Sequence, residues 1–179
     1  MVQRRNSNPG RQHEVPIATV KLDENSEALS KALQKDLEPS FPISIMAEID
    51  MVTVTVPVMN LVQICTFLKT DDSYKFDYLC SVTVVDYEEN EDRFEVVYHL
   101  VSLINRNKLA LKVSVSASQP VVPSVIGVWR ASDWFEREGH DLFGIVFERH
   151  PDLSPLLLYE GFDGYPGRKS FPFHDYQEW

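Results

Sequence analysis

Three β-rich segments follow one another in the middle of the chain, and they constrain the fold more than any other feature. They cover residues 77–87, 93–104 and 109–117, where β-branched and aromatic residues are frequent. The turn-like residues 105–108 join the last two segments, and the acidic residues 88–92 join the first two. Such a run of strands requires other elements to cover its apolar face, and the flanking sequence supplies them.

Two helices and two further strands are predicted before these segments. The first helix covers residues 26–37, where apolar residues recur at helical spacing, with Asn25 or Ser26 as the expected N-cap. Residues 43–49 and 52–56 are predicted strands, and a second helix follows Pro57. The order helix, two strands, helix, three strands predicts an α+β fold, a mixed β-sheet with helices packed on one face.

The character of the sequence changes after residue 118. Residues 119–124 form a linker interrupted by prolines, and residues 133–143 are predicted to form a helix that begins at Ser132 or Asp133 and ends at Gly144. Residues 150–179 then contain four prolines, three glycines and seven aromatic residues. We therefore expect a long irregular C-terminal arm, whose rings favour contact with a partner, with packing on its own domain as the alternative.

The chain is accordingly divided into three parts. Residues 1–20 are expected to form a flexible N-terminal tail, residues 21–149 the α+β domain, and residues 150–179 the extended arm.

Charge and cysteine content exclude several classes of function. The 17 Lys and Arg residues are outnumbered by 27 Asp and Glu residues, which gives a formal charge of -10 and argues against nucleic acid as a partner. The two cysteines cannot supply four thiolates for an iron–sulfur cluster or a structural zinc site. The longest nearly apolar stretch, residues 121–129, is much shorter than the about twenty residues that a spanning helix needs.

The richest polar cluster, residues 136–141, does not predict a catalytic pair. Glu136 and Glu138 are two positions apart on a helix, so they point roughly 200° away from each other. Arg137 and Asp141 are four positions apart and can pair, as can Glu136 and His140. The chain also contains no phosphate-binding loop, no GxGxxG pattern and no nucleophile elbow, so we expect no catalytic residues.

A metal site is the alternative that these residues leave open. Glu136 and His140 lie one helical turn apart, and His150 or His174 can be considered as a third ligand. This spacing matches no established zinc pattern. A free-standing metallohydrolase is therefore a remote alternative.

Between residues 129 and 172 the sequence follows a long pattern with fixed spacing. The first block begins with Glu136-Arg137-Glu138 and ends with Leu156-Leu157, and the second block follows directly. The matching positions are Glu136, Arg137, Glu138, Asp141, Leu142, Phe143, Gly144, Ile145, Phe147, His150, Pro151, Asp152, Leu153, Leu156, Leu157, Gly164, Tyr165, Pro166, Arg168, Lys169, Phe171 and Pro172. These blocks closely resemble the 30-kilodalton subunit, also called the C subunit, of proton-pumping NADH:quinone oxidoreductase, respiratory complex I.

The resemblance implies a non-redox structural and assembly subunit in the peripheral-arm quinone module of that complex. Such a subunit supports electron transfer to quinone coupled to proton translocation. It implies no cofactor in this chain, with flavin and iron–sulfur clusters on other subunits and quinone as the substrate of the complex. The implied partners are the hydrogenase-like large and small subunits of the quinone module and the ferredoxin-like subunit next to them. The implied location is the cytoplasmic face of the bacterial inner membrane, with the membrane contacted only through the complex.

Four positions depart from the family pattern. Ser154 and Pro155 stand where a basic pair is usual, Gly167 where a bulky apolar residue is usual, and Ser170 where an acid is usual. Within the same architecture, the alternative is the equivalent subunit of a ferredoxin- or F420-dependent dehydrogenase or of a membrane-bound hydrogenase.

Overall fold

The structure is a computed structural model that describes residues 23–48, 51–87 and 91–172. The expected N-terminal tail, residues 88–90 of the acidic link and the last residues of the arm, from 173 onward, lie outside the described residues.

The first two helices lie where the apolar spacing predicts them. Helix α1 spans Glu24–Leu37, and helix α2 spans Leu61–Thr70 after a 3₁₀ turn at Val58–Asn60. The expected N-cap of α1, Asn25 or Ser26, is wrong: the carboxylate of Asp23 caps the helix and accepts a hydrogen bond from the amide of Ser26 at 2.8 Å. In the part of the chain described, no helix is both long and apolar enough to cross a membrane.

Helix α3 carries much of the family pattern and spans Ser132–Phe143. Its N-cap is Ala131, which makes no side-chain capping bond, so the expected cap at Ser132 or Asp133 is wrong. Its end is as predicted: Gly144 adopts a left-handed conformation with φ 72°, and its amide donates to the carbonyl of His140.

The predicted α+β class with a mixed sheet is confirmed. Five strands form the main sheet in the order β1-β2-β5-β4-β3, in which β2 and β5 are parallel and the other pairs are antiparallel. Two short strands inside the predicted linker and after α3 pair in parallel as a second sheet. The strands are β1 (Ser44–Glu48), β2 (Met51–Thr55), β3 (Tyr78–Asp86), β4 (Arg93–Ser102), β5 (Asn107–Ser116), β6 (Val121–Pro123) and β7 (Val146–Glu148).

One hydrophobic cluster joins the helices to the sheet. Leu33 of α1, Ile64 of α2 and alternate strand residues such as Val96 and Leu111 all belong to it and are fully buried. On the opposite face of the sheet, Thr83 is exposed. In β3 the buried Val82 and Val84 alternate with the exposed Thr83, as expected for a strand covered on one face.

Candidate functional site

Helix α3 packs closely against strand β3 at Gly139. A Cβ atom at Gly139 would lie 3.3 Å from the side chains of both Val84 and Phe147, which is tighter than an ordinary contact. Glycine at this position therefore permits the close approach of α3 to β3 and β7. The C-terminal arm packs against the end of α3.

The carboxylate of Asp141 binds the first part of the C-terminal arm. Its Oδ2 atom accepts hydrogen bonds from the backbone amides of Leu156, Leu157 and Leu158, at 3.1, 2.7 and 2.9 Å. Burial of Asp141 acts to raise the pKa of this carboxyl, but the three amides outweigh it, and the pKa lies below its usual range. The charged form of Asp141 is thus the form that holds the arm.

The second part of the arm is bound to backbone carbonyls at the end of α3. The amide of Gly167 donates to the carbonyl of Leu142 at 2.9 Å, and Nε of Arg168 donates to the carbonyl of Phe143 at 2.8 Å. The amide of Lys169 donates to the carboxylate of Asp86 at the end of β3, at 2.7 Å. The two carbonyls belong to the last turn of a helix, where no partner within the helix exists.

Gly167 stands where a bulky apolar residue is usual in the resembling family, and the structure gives a physical reason. A Cβ atom at this position would lie 2.9 Å from the carbonyl oxygen of Leu142 and 2.9 Å from the ring of Phe143. A side chain of any size therefore requires the arm to move away from α3 here. Tyr165 likewise covers Gly144, whose missing side chain leaves room for the tyrosine ring.

Arg137 also binds the arm, and the expected pairing of Arg137 with Asp141 is wrong. Its guanidinium donates to the carbonyl of Ser154 at 3.2 Å, to the hydroxyl of Ser154 at 3.2 Å and to the carbonyl of Pro155 at 3.1 Å. The guanidinium carbon also lies 5.3 Å from the ring centre of Trp134. The two departures at residues 154 and 155 are therefore direct contacts of the motif arginine.

Glu136 is fully buried, so its expected pairing with His140 along the helix surface is also wrong. Its Oε1 accepts from the amide of Val125 at 2.8 Å, and its Oε2 accepts from the hydroxyl of Ser124 at 2.5 Å. Burial raises the pKa of Glu136, although these two bonds and the nearby His150 act in the opposite direction. The side chain ties α3 to the segment after β6.

Further polar side chains surround Glu136 in the interior. The amide of Asp152 donates to Nδ1 of His150, and Nε2 of the same ring is buried 3.6 Å from Oδ1 of Asp133, without a hydrogen-bond partner in the described part of the chain. The hydroxyl of Tyr98 is likewise buried without a hydrogen-bond partner in the described part of the chain. Burial, and then the charge of Glu136, raise the pKa of the Cys65 thiol. These side chains form a cluster of buried polar groups around Glu136.

The structure does not assemble the residues considered for a metal site. Glu136 is occupied by Ser124 and Val125, and Nδ1 of His140 donates to the carbonyl of Ile145 at 2.9 Å. No three His, Cys, Asp or Glu side chains among the described residues come together as metal ligands. His174 lies outside the described residues.

Comparison with known proteins identifies the family. A family model described as "Respiratory-chain NADH dehydrogenase, 30 Kd subunit" matches residues 54–177. The chain belongs to this family. The chain is 44% identical to the C 2 subunit of the NADH-quinone oxidoreductase of Rhizobium meliloti, over 69% of this chain and 67% of the relative. It is 39% identical to the C subunit of the NADH-quinone oxidoreductase of Coxiella burnetii, over 72% of this chain and 70% of the relative.

Two solved structures share the fold of this chain. A trypsin-resistant fragment of Nqo5 matches with a TM-score of 0.59 and 30% identity, over 69% of this chain and 98% of the fragment. A chain of the membrane-bound sulfane sulfur reductase, an archaeal respiratory membrane complex, matches with a TM-score of 0.69 over 84% of this chain and 86% of its own. Its identity of 21% shows a shared fold alone. The resemblance to the complex I 30-kilodalton subunit family is confirmed.

Thirteen residues of the family pattern fall into two groups according to their surroundings in this chain. Those of the first group bind the arm, close the end of α3 or lie in the interior: Glu136, Arg137, Asp141, Phe143, Gly144, His150, Tyr165, Arg168 and Phe171. Glu138, Pro151 and Lys169 are exposed, and Pro166 is half-buried. Sequence reasoning missed the partners of Glu136, because the amide of Val125 has no signature in the sequence. The inward face of α3 was not detectable, since its buried residues Ser132, Glu136 and Gly139 are polar or lack a side chain and give no apolar periodicity.

Proposed function

We propose that this chain is a non-redox structural and assembly subunit of the peripheral-arm quinone module in a complex I-type NADH:quinone oxidoreductase. In this role it supports electron transfer to quinone coupled to proton translocation without taking part in the chemistry. Family membership and the names of the relatives, which are C subunits of NADH-quinone oxidoreductases, support the proposal.

One observation carries the structural role. The motif side chains bind the arm to α3 and leave large apolar side chains exposed beside it. Trp134 is 61% exposed, Leu157 59% and Tyr159 70%. Leu157 follows the residues that Arg137 holds, and Trp134 contacts the same arginine. Exposed aromatic and aliphatic side chains on a rigid support are typical of subunit interfaces. We define these three residues as the docking surface.

The cofactor and partner assignments belong to the same proposal. The chain holds no flavin and no iron–sulfur cluster, those groups lie on other subunits, and quinone is the substrate of the complex. The docking surface and the rest of the arm, residues 150–179, contact the hydrogenase-like large and small subunits and the ferredoxin-like subunit. The arrangement of Glu136, whose oxygens serve as hydrogen-bond acceptors in the interior, supports the absence of a catalytic role.

The location follows from membership of such a complex. We place the chain at the cytoplasmic face of the bacterial inner membrane, attached through its partner subunits. Its formal charge of -10 disfavours direct binding to anionic lipid.

The test is co-purification of a tagged full-length chain with the hydrogenase-like large subunit. The variants Leu157→Ala and Tyr159→Ala remove side chains of the docking surface without touching a described hydrogen bond. Truncation of an interface anchor often costs about 2 kcal/mol or more, so we expect a roughly thirtyfold loss in apparent affinity. The melting temperature of the isolated chain should be unchanged in Leu157→Ala and slightly lower in Tyr159→Ala, because the exposed ring of Tyr159 also makes an edge-to-face contact with the Phe162 ring.

Met59 provides the matched control. It is a large apolar side chain that is 85% exposed and lies in the 3₁₀ turn before α2, away from the arm. The variant Met59→Ala should assemble normally. Normal assembly of both arm variants would show that the docking surface is elsewhere.

A further inference from the structure

Strand β3 forms an open edge of the main sheet. The strand order places β4 on one side of β3, and no strand of the described chain pairs with the other side. The amide of Tyr87 donates to the carbonyl of Arg93 at 2.9 Å, so these opposed residues form a hydrogen-bonded pair. Because hydrogen-bonded and non-hydrogen-bonded pairs alternate in an antiparallel ladder, the backbone groups of Val82 and Val84 point away from β4.

This open edge faces a groove that helix α3 closes on the other side. The groove has a volume of about 250 Å³. Val82 and Val84 line it from the strand, and apolar side chains line it from the helix, among them Phe135, Leu142 and Phe143. The groove therefore offers unpaired amides and carbonyls on one wall and an apolar surface on the other. An extended polypeptide satisfies both walls, since its backbone pairs with the strand and its alternate side chains pack on the helix.

A single charged group lies at the rim of the groove. Glu138 lines it from α3, and this side chain is exposed. Within the described residues, the carboxylate of Glu138 has neither an ion-pair partner nor a hydrogen-bond partner, unlike the three other acids of the motif, Glu136, Asp141 and Asp152. A basic side chain next to an apolar one is the complement of this rim.

We propose that the groove between β3 and α3 binds an extended segment of a neighbouring subunit, which adds to β3 as a short strand. The segment carries a Lys or Arg that pairs with Glu138 and an apolar side chain that enters between Phe135 and Leu142. Pairing with Val82 and Val84 requires about three residues at roughly 3.3 Å each. This inference rests on the proposed function, because the segment comes from another subunit of the same complex.

The experiment uses the full-length chain in the purified complex. Thr83 lies at the edge of the groove, and its exposed side chain is on the opposite face of β3, beside the position of the added strand, so it can be replaced by the photoactivatable residue p-benzoyl-phenylalanine. Irradiation should join it to one segment of another subunit, and mass spectrometry should find a Lys or Arg within about three residues of the joined position. The added variant Glu138→Lys should lower the yield at least about tenfold, and reversal of the partner's basic residue to Glu should restore it.

A control variant and several contrary results make the cross-linking experiment decisive. Glu148→Lys reverses an exposed acid outside the groove, on β7, and should leave the yield unchanged. A cross-link to residues 1–22 or 173–179 of the same chain, a cross-link to lipid, or a yield that Glu138→Lys leaves unaltered would overturn the inference. An intact complex without any cross-link would overturn it and leave the proposed function standing. Failure of the unmodified chain to co-purify with the large subunit would overturn both.

Discussion

The variant Asp141→Asn tests how the arm is held on α3. In the native chain one carboxylate oxygen accepts three backbone amides, those of residues 156–158, over distances of 2.7 to 3.1 Å. Asparagine has nearly the same shape, and its carbonyl oxygen can still accept in the same place. The substitution therefore removes the charge and leaves the geometry.

The expected magnitude follows from the three bonds. A hydrogen bond to a charged group contributes about 1.5–3 kcal/mol net, and a neutral one about 0.5–1.5 kcal/mol. Each bond therefore loses about 1 kcal/mol. The three bonds share one oxygen and are not additive, so we expect the free energy of opening of the arm to fall by about 2 kcal/mol. That corresponds to a roughly thirtyfold faster amide exchange at residues 156–158.

The assay is amide hydrogen exchange, resolved to single residues by NMR. Amides of the central strands that open only on global unfolding should exchange faster by about the same factor, because the substitution destabilises the native state from which both openings start. Glu138→Gln is the matched control, since it neutralises an exposed acid on the same helix that binds no amide. Unaltered exchange at residues 156–158 in Asp141→Asn would refute the reasoning, because it would mean that the charge contributes nothing to arm binding.

The same bonds set a pH dependence. The pKa of Asp141 is lowered in the folded chain, so its stabilising effect is present above the ordinary value of about 3.9 and is lost as pH falls through the lowered folded pKa. Protection of the three amides, corrected for intrinsic exchange, should therefore hold at neutral pH and fall in the acid range. In Asp141→Asn this dependence should be absent.

Three further outcomes are expected. Gly167→Ala places a Cβ atom 2.9 Å from a backbone carbonyl of α3 and should lower the free energy of unfolding, measured in urea, by about 1–3 kcal/mol. The control Gly127→Ala, whose Cβ atom would have nothing within 4 Å, should change it by less than about 0.5 kcal/mol. Equal effects of the two substitutions would exclude the close contact. Because the pKa of Glu136 is raised in the folded chain, the free energy of unfolding of the native protein should decline as pH rises from about 4.3 through the folded pKa. The variant Glu136→Gln should not show this decline. Parallel curves of unfolding free energy against pH for the two proteins would contradict the prediction. Cys80 is exposed and should react with a thiol reagent in the native protein, whereas the buried Cys65 should react only in denaturant. Two reactive thiols in the native protein would contradict the burial of Cys65.

The fold class was predictable because it depends on periodicity. Apolar residues at helical spacing locate α1 and α2, and alternation locates the strands of the main sheet. The strands β6 and β7 were missed, since each has three residues and β6 includes Pro123. Three residues are too few for alternation to be detected. The cap of α1 was missed because Asp23 precedes the first apolar residue of the pattern by several positions.

The candidate site was predictable as a set of residues but not as a set of contacts. The pattern correctly places Asp141 and Arg137 on one helix, and helical spacing suggests that they pair with each other. Both instead bind the arm, mostly through backbone groups, at sequence separations of 15 to 18 residues. A backbone amide is present at every position except proline, so its use as a partner leaves no trace in composition or spacing.

That use of backbone groups has a consequence for how such subunits diversify. Asp141 recognises three successive amides and none of the side chains attached to them, so residues 156–158 are free to change without releasing the segment. The hydrogen bonds that attach the arm therefore do not depend on which side chains its residues present to the outside. The three bonds would therefore survive substitution of the exposed Leu157, although this residue belongs to the family pattern. The prolines alone are barred from those three positions, because they have no amide hydrogen to donate.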